Sequence, residues 1–211
     1  QPAAVPMIAL TRSQDNVEAI NKALRNAGHP VHVTWLPDAR DLGDALTQAS
    51  AEMLVLFADE GIVDLASAMD FRARFAPDVP VLVVREKLDE AAIADALALG
   101  AQDAVTLTNI PRLQLVVGRE LRTYRLDRAL STTLASAREY KKQLQHFVEG
   151  STDAIAQVQE GIIVDANPAW LALFGYSNPE EVVGTPLMDA FDPDDHAAIK
   201  GALVACMQGK W

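Results

Sequence analysis

Short apolar segments alternate with segments of helical period over residues 7–107, and this alternation constrains the fold more than any other feature. The apolar runs that we predict to be strands are residues 7–11, 31–36, 53–57, 81–84 and 104–106. Helical spacing of apolar residues fills the intervals at 17–27, 39–50, 64–75 and 89–99. We therefore predict an α/β domain with a five-stranded, doubly wound parallel sheet, in which any ligand binds at the carboxyl ends of the strands.

Residues 110–149 predict a single long helix, in which Gly118 is an isolated glycine. Apolar side chains in it are spaced alternately by four and three residues, which is a heptad pattern. The predicted seam consists of Leu126, Leu130, Thr133, Ala137, Tyr140, Leu144 and Phe147. The pattern predicts pairing with a second helix and hence a homodimer. Alternatively, the stripe packs against its own domain, because Thr133 and Ala137 are weak seam residues.

A third region follows Gly150, with strands predicted at 154–158 and 161–164. Asn167 and Pro168 then predict a helix start, because Asn is a good cap and Pro suits the first helical position. Further helices are predicted to begin at Asn178 and Asp192. The predicted domains are residues 1–109, 110–149 and 150–211.

Composition excludes several classes of function. The formal net charge is −11 and neither end carries a run of Lys or Arg, so we expect no nucleic-acid partner. The sequence shows neither a long apolar stretch nor a signal-peptide pattern, so we expect no membrane insertion. The single cysteine, Cys206, fits a reducing compartment. We therefore predict a cytoplasmic protein.

The strand order, helix lengths and size of residues 1–109 resemble receiver domains of two-component response regulators. The resemblance implies fixed roles in a phosphorylatable member: an acidic pair after the first strand holds Mg²⁺, an aspartate ends the third strand, a hydroxyl residue ends the fourth and a lysine ends the fifth. These positions fall on Thr11, Arg12, Phe57, Arg85 and Leu107. None has the required side chain, so we predict a degenerate phosphorylation pocket with no catalytic residue and no metal.

Two alternatives stay open for charged residues around this pocket. Asp59 is the only nearby substitute for the phosphoacceptor, or else a solvated loop acid. Arg12 and Arg85 could bind an anion, or could pair with Asp59, Glu60 or Glu86.

Residues 147–211 resemble a PAS domain in several landmarks that occur in order. These are the segments 151–155, 160–170, 173–176, 180–184 and 192–196. The resemblance implies three further strands after the last helix, whereas the chain stops at Trp211, about where the next strand would begin. We therefore expect a truncated α+β PAS domain whose sheet edge is exposed, disordered or covered by a partner.

No cofactor is expected in the PAS region. Cys206 is not in the short Asn-Cys-Arg motif that the resemblance requires for a flavin photosensor. Haem would need an axial ligand such as His196, which lies near a predicted helix start. The apolar residues that we assign to a plain core rather than to a ligand pocket are Trp170, Phe174, Val182 and Leu187.

The whole arrangement resembles the N-terminal part of FimX-type cyclic di-GMP regulators, notably in residues 13–15, 25–29 and 153–156. The resemblance implies a role in type IV pili and twitching motility, with placement at the cell pole and protein partners in the signalling or pilus machinery. Cyclic di-GMP would be bound only by GGDEF and EAL domains, which this chain lacks. We predict a non-enzymatic signalling module, with a PAS-based sensor of a small ligand or cofactor as the alternative. A phosphorylated regulator would need an acceptor that the sequence does not show.

Overall fold

The computed structural model describes residues 4–209. The chain divides into two compact units, residues 1–132 and 133–211. One helix, α5 (Ile110–Glu149), is continuous through the boundary between them.

The first unit contains five parallel strands and the helices that connect them. Its elements before α5 are β1 (Val5–Leu10), α1 (Gln14–Asn26), β2 (Val31–Leu36), α2 (Leu42–Gln48), β3 (Met53–Phe57), α3 (Leu65–Phe75), β4 (Val81–Val84), α4 (Glu90–Ala98) and β5 (Asp103–Val105). The strand order is β2-β1-β3-β4-β5, with every neighbouring pair parallel. The predicted fold class is therefore confirmed.

The central strands are apolar along their whole length because helices cover both faces of the sheet. All five residues of β3 and all four of β4 are buried. Successive β3 side chains point to opposite faces of the sheet, so Val55 packs in one core cluster and Leu54 in the other. α1 and the start of α5 cover the first face, whereas α2, α3 and α4 cover the second.

In the first unit, β1 and β5 differ from the predicted strands at both ends, since β1 already begins at Val5 and β5 ends at Val105. β1 ends at Leu10, which leaves Thr11 in the loop, and β5 begins one residue early, at Asp103. A carboxylate at a strand start indicates a loop by sequence, yet Asp103 is buried because two arginines neutralise it. Its Oδ1 accepts from Arg112 Nη2 at 2.8 Å and its Oδ2 from Arg119 Nη2 at 3.0 Å. Hydrogen bonds to Glu120 and Asp103 raise the pKa of Arg119 above its ordinary value.

α5 has the predicted bounds, and its two parts differ in burial. Four apolar side chains of its first part lie in the core of the first unit: Leu113, Val116, Val117 and Leu121. Every residue from Arg125 to Phe147 is exposed.

The second unit contains an antiparallel pair, β6 (Ala156–Gln159) and β7 (Ile162–Ala166), followed by α6 (Pro168–Phe174) and α7 (His196–Met207). Short 3-10 turns at 179–181, 187–190 and 193–195 join the two helices. Trp170, Val182 and Leu187 form part of its small core, as predicted from sequence, with Phe174 packed against them. Among residues 4–209, no helix is both long enough and apolar enough to cross a membrane.

Candidate functional site at the carboxyl ends of the strands

The residues predicted to form the degenerate pocket lie at the carboxyl ends of β1, β3, β4 and β5. Phe57, Arg85 and Leu107 line one cavity of about 230 Å³. Thr11 and Arg12 follow β1 and do not line this cavity, but both contact Glu60, which does. The structure therefore groups three of the five residues directly and connects the other two through a single carboxylate.

Glu60 lies in a 3-10 turn, residues 58–60, that follows β3. Its Oε1 accepts hydrogen bonds from Thr11 Oγ1 and from Asn16 Nδ2, each at 2.8 Å, and its Oε2 accepts from the Arg12 backbone N–H at 2.6 Å. The Thr11 side chain is fully buried, and its hydroxyl also accepts from Asn16 Nδ2 at 3.0 Å. The turn after β3 is thereby joined to the loop after β1.

Asp59, the neighbouring acid in this turn, contacts the end of β4. Its Oδ1 accepts from Arg85 Nη1 at 2.8 Å and its Oδ2 from the Glu86 backbone N–H at 2.7 Å. Arg85 was left open as an anion ligand or as an ion-pair partner, and the structure shows its ion pair with Asp59. Arg12 contacts Glu60 through its backbone N–H.

The position of the expected phosphoacceptor belongs to the apolar core. Phe57 is the last residue of β3 and is 9% exposed, in the same cluster as Val84 and Val105. Leu107, at the expected lysine position, packs against this cluster and is partly buried. The cavity is thus lined by the apolar side chains of Phe57 and Leu107 together with Asp59 and Glu60, whose carboxylate oxygens already accept hydrogen bonds.

This geometry can hold loops together but offers little for phosphoryl chemistry. Magnesium sites need oxygen ligands that remain available to the ion. Here Glu60 accepts from three donors and Asp59 from two. No group of three or more His, Cys, Asp or Glu within residues 4–209 is arranged to hold a metal ion.

The predicted seam of α5 lies on its exposed part. The larger seam side chains are 59–72% exposed. They are Leu126, Leu130, Tyr140, Leu144 and Phe147, and Ala137 is exposed as well. None of these side chains belongs to a core cluster among residues 4–209.

The aromatic residues of the second unit form a compact cluster. The ring centroids of Trp170 and Phe174 are 4.2 Å apart, and Phe191 packs edge-on against both rings. His196 Nε2 lies 3.2 Å from the Phe191 carbonyl oxygen, within hydrogen-bond distance. Trp170 Nε1 is buried and has no hydrogen-bond acceptor among the described residues.

Three polar residues connect separate segments of the chain through their side chains, and the sequence did not predict these contacts. Glu60 was considered only as a partner for arginines, and Asp103 gave no signal at all. Asn167 was predicted as a helix cap, which it is, since its Oδ1 accepts from Trp170 N at 2.9 Å. Its other contacts, which reach back to the end of α5, have no signature in the local sequence.

Comparison with known proteins bears on both units. A family model described as the PAS fold matches residues 142–210. No curated protein matches the chain.

Solved structures with the receiver-domain fold match about 60% of the chain. A signal receiver domain from Vibrio parahaemolyticus has 13% identity and a TM-score of 0.52, with 61% of this chain and 98% of that chain covered. NtrX from Brucella abortus, solved in complex with ADP, has 20% identity and a TM-score of 0.52, with 62% and 29% covered. A CheY-like receiver domain protein from Methanospirillum hungatei has 10% identity and a TM-score of 0.50, with 59% and 99% covered.

Identities this low show only the shared fold. The chain therefore combines a receiver-domain fold with a region similar to the PAS fold.

Proposed function

We propose that this chain is a non-catalytic signalling and dimerisation module whose receiver-like part, residues 1–109, works without phosphorylation. The observation that carries the proposal is the contact set of Glu60, together with Phe57 at the acceptor position. A working receiver pocket concentrates carboxylates, and their mutual repulsion is relieved by Mg²⁺. Here hydrogen-bond donors of the chain occupy the oxygens of both acids, and Arg85 neutralises Asp59, so the loops after β1, β3 and β4 are held together without a ligand.

A phosphorylation assay tests this proposal directly. The chain is incubated with acetyl phosphate and Mg²⁺, and its intact mass is followed over time, with Asp59→Asn as the matched variant. We expect no phosphoryl adduct on either protein. An adduct that forms on the wild type and is lost in Asp59→Asn would identify Asp59 as the acceptor and overturn the proposal.

Residues 110–149 are, in this proposal, the helix through which two copies pair. The exposed stripe supports this, because a row of large apolar side chains in water gains free energy from burial against a second helix. Polar residues such as Arg128, Arg138 and Lys142 lie outside the stripe. Helix pairing would set the distance between the output domains of the two copies.

Light scattering across a concentration series tests the pairing. The double variant Leu130→Glu, Leu144→Glu introduces charge into the seam, while Ser131→Glu, Gln145→Glu adds the same charge one residue away as the matched control. We expect a dimer in the wild type and in the control, and a monomer in the seam variant. A dimer that survives in the seam variant would move the interface to the receiver-like surface, and a monomer throughout would remove the dimer from the proposal.

More specifically, we propose that the chain belongs to a regulator of the FimX type that acts on type IV pili and twitching motility through cyclic di-GMP. Support for this comes from the sequence resemblance together with the combination of a receiver fold and a PAS region. Any nucleotide would be bound by domains outside residues 1–211, and the protein would lie in the cytoplasm near a cell pole. Removing residues 1–109 from the natural protein should abolish polar fluorescence of a tagged copy while cyclic di-GMP binding persists. Unchanged polar fluorescence would argue against this role.

A second candidate function is a PAS-based sensor, and one observation favours it. The buried Trp170 indole N–H lacks an acceptor among residues 4–209, and a ligand carbonyl could supply one. An absorption spectrum of the natural protein would show haem or flavin directly. A spectrum with protein absorbance only, together with no change in Trp fluorescence after extraction of small molecules, would leave the interaction module as the function.

A further inference from the structure

Asn167 connects the end of α5 to the second unit's core with one side chain. It is 3% exposed and precedes α6. Its Oδ1 accepts from the backbone N–H groups of Ile155 and Trp170, both at 2.9 Å. Its Nδ2 donates to the carbonyl oxygens of Val148 at 2.9 Å and Asp153 at 2.8 Å. One amide thus makes four hydrogen bonds to four different backbone positions.

The partners of Asn167 belong to separate parts of the unit. Val148 lies in the last turn of α5, where backbone carbonyls have no partner within the helix. Asp153 and Ile155 belong to the segment between α5 and β6, and Trp170 lies in the first turn of α6. The Asn167 backbone N–H also donates to the Ile155 carbonyl at 2.9 Å. The last turn of α5 and the start of α6 are therefore held by a common residue.

We infer that Asn167 is the positioning residue that couples the last turn of α5 to α6, so that a displacement of either one reaches the other through this amide. The oxygen and the nitrogen of the side-chain amide have different partners. Its oxygen caps α6 and holds the segment before β6, whereas its nitrogen holds the end of α5. The inference concerns one copy of the chain and does not require helix pairing.

Two substitutions separate the coupling from the cap. Asp and Ser are as good at helix N-caps as Asn. Neither supplies the two N–H donors, because an ionised Asp only accepts and a Ser hydroxyl has one hydrogen to donate. Asn167→Asp and Asn167→Ser should therefore preserve the start of α6 while releasing the Val148 and Asp153 carbonyls. Asn178 offers a matched control, since it also precedes a proline in this unit but is exposed.

Amide hydrogen exchange, resolved by peptide, tests the coupling in the whole chain. We expect Asn167→Asp and Asn167→Ser to speed exchange over residues 146–153 by about ten-fold or more, the factor that loss of a typical buried hydrogen bond produces. Exchange over 168–174 and over the first part of α5 should stay at wild-type rates. Asn178→Asp and Asn178→Ser should leave all of these segments unchanged.

Two results would overturn the inference. Wild-type exchange over 146–153 in both Asn167 variants would show that the end of α5 does not depend on this amide. An equal rise throughout residues 146–207 in both variants would show that Asn167 only stabilises the unit as a whole. Agreement between the Asp and Ser variants also excludes the buried charge of the Asp as the cause of a local rise.

Discussion

The first and second parts of α5 are parts of one unbroken helix, but they are stabilised by different means. Residues 113–121 bury Leu113, Val116, Val117 and Leu121 against the receiver-like sheet, whereas residues 125–147 are exposed throughout. Asp103 binds Arg112 and Arg119, and Glu52 binds Arg125 at 2.6 Å, so these anchors lie at or before residue 125.

The difference shows where a helix obtains its stability. Isolated helices are marginal in water, and most helical stability in proteins comes from packing of an apolar face. The first part of α5 has that packing within its own unit. The second part carries its apolar stripe in water, so its stability in this proposal depends on a second copy. The following predictions test this contrast, beginning with the largest expected effect.

Leu113→Ala should destabilise the first unit strongly. Leu113 is 2% exposed, and removing a buried leucine side chain lowers the free energy of unfolding by about 2–5 kcal/mol through lost burial and a residual cavity. Leu115→Ala, two residues away on the same helix, is the control because Leu115 is 75% exposed. Chemical denaturation measures both variants, and the free energy of unfolding of the control should change by no more than about 0.5 kcal/mol. Equal effects would contradict the division of α5 into a packed and an exposed part.

Asp103→Asn should weaken the polar anchor of the packed part. Asn keeps the shape but loses the charge that both arginines contact, and we expect a loss of about 1–3 kcal/mol in the free energy of unfolding. Solvent screening limits the effect, since the Arg112 and Arg119 side chains are 37% and 57% exposed. Denaturation curves at low and high salt provide the measurement, and the loss should shrink with salt. A loss of unfolding free energy that does not change with salt would mean that Asp103 stabilises the unit by packing rather than by charge.

Gly118→Ala should stabilise the packed part. Glycine within a helix costs about 1 kcal/mol relative to alanine. A Cβ at position 118 would lie 3.4 Å from His29 Nε2, so a small movement of that partly exposed side chain accommodates it. We expect a rise of about 1 kcal/mol in the free energy of unfolding, measured by thermal and chemical denaturation. The same gain in a His29→Ala background is the control, and a larger gain there would show that the imidazole resists the methyl group.

Arg125→Ala should have the smallest effect. Its ion pair with Glu52 joins side chains that are 48% and 20% exposed, and such pairs contribute about 0–1 kcal/mol. We expect the free energy of unfolding, measured by chemical denaturation, to fall by about 0.5 kcal/mol or less. A larger loss would extend the packed part of α5 beyond Leu121.

The apolar patterns of the sequence were sufficient for the fold but not for its boundaries. β3 and β4 were predicted correctly at both ends because buried central strands are apolar along their whole length. β6 begins at Ala156, two residues later than predicted. The cause lies far along the chain, since Asn167 binds the Asp153 carbonyl and the Ile155 N–H and so takes them from the strand ladder.

The contacts of the candidate site could not be read from sequence for a similar reason. The degenerate positions follow from a linear comparison, strand by strand. Glu60 reaches Thr11 across 49 residues, and a hydrogen bond between two loops has no periodicity that a sequence would display. Asp103 was missed because a single carboxylate before a short strand is typical of a loop, and its two arginines follow 9 and 16 residues later.

The Glu60 contacts also bear on whether evolution could introduce phosphorylation chemistry into this pocket. Phe57→Asp alone would place a carboxylate in an apolar cluster with no acid pair to hold Mg²⁺, and Arg12→Asp alone would bring negative charge beside Glu60. Each of these single substitutions would lower stability without supplying the other groups that phosphorylation needs. Because single substitutions become available to selection one at a time, a pocket held together in this way opposes the stepwise gain of that chemistry.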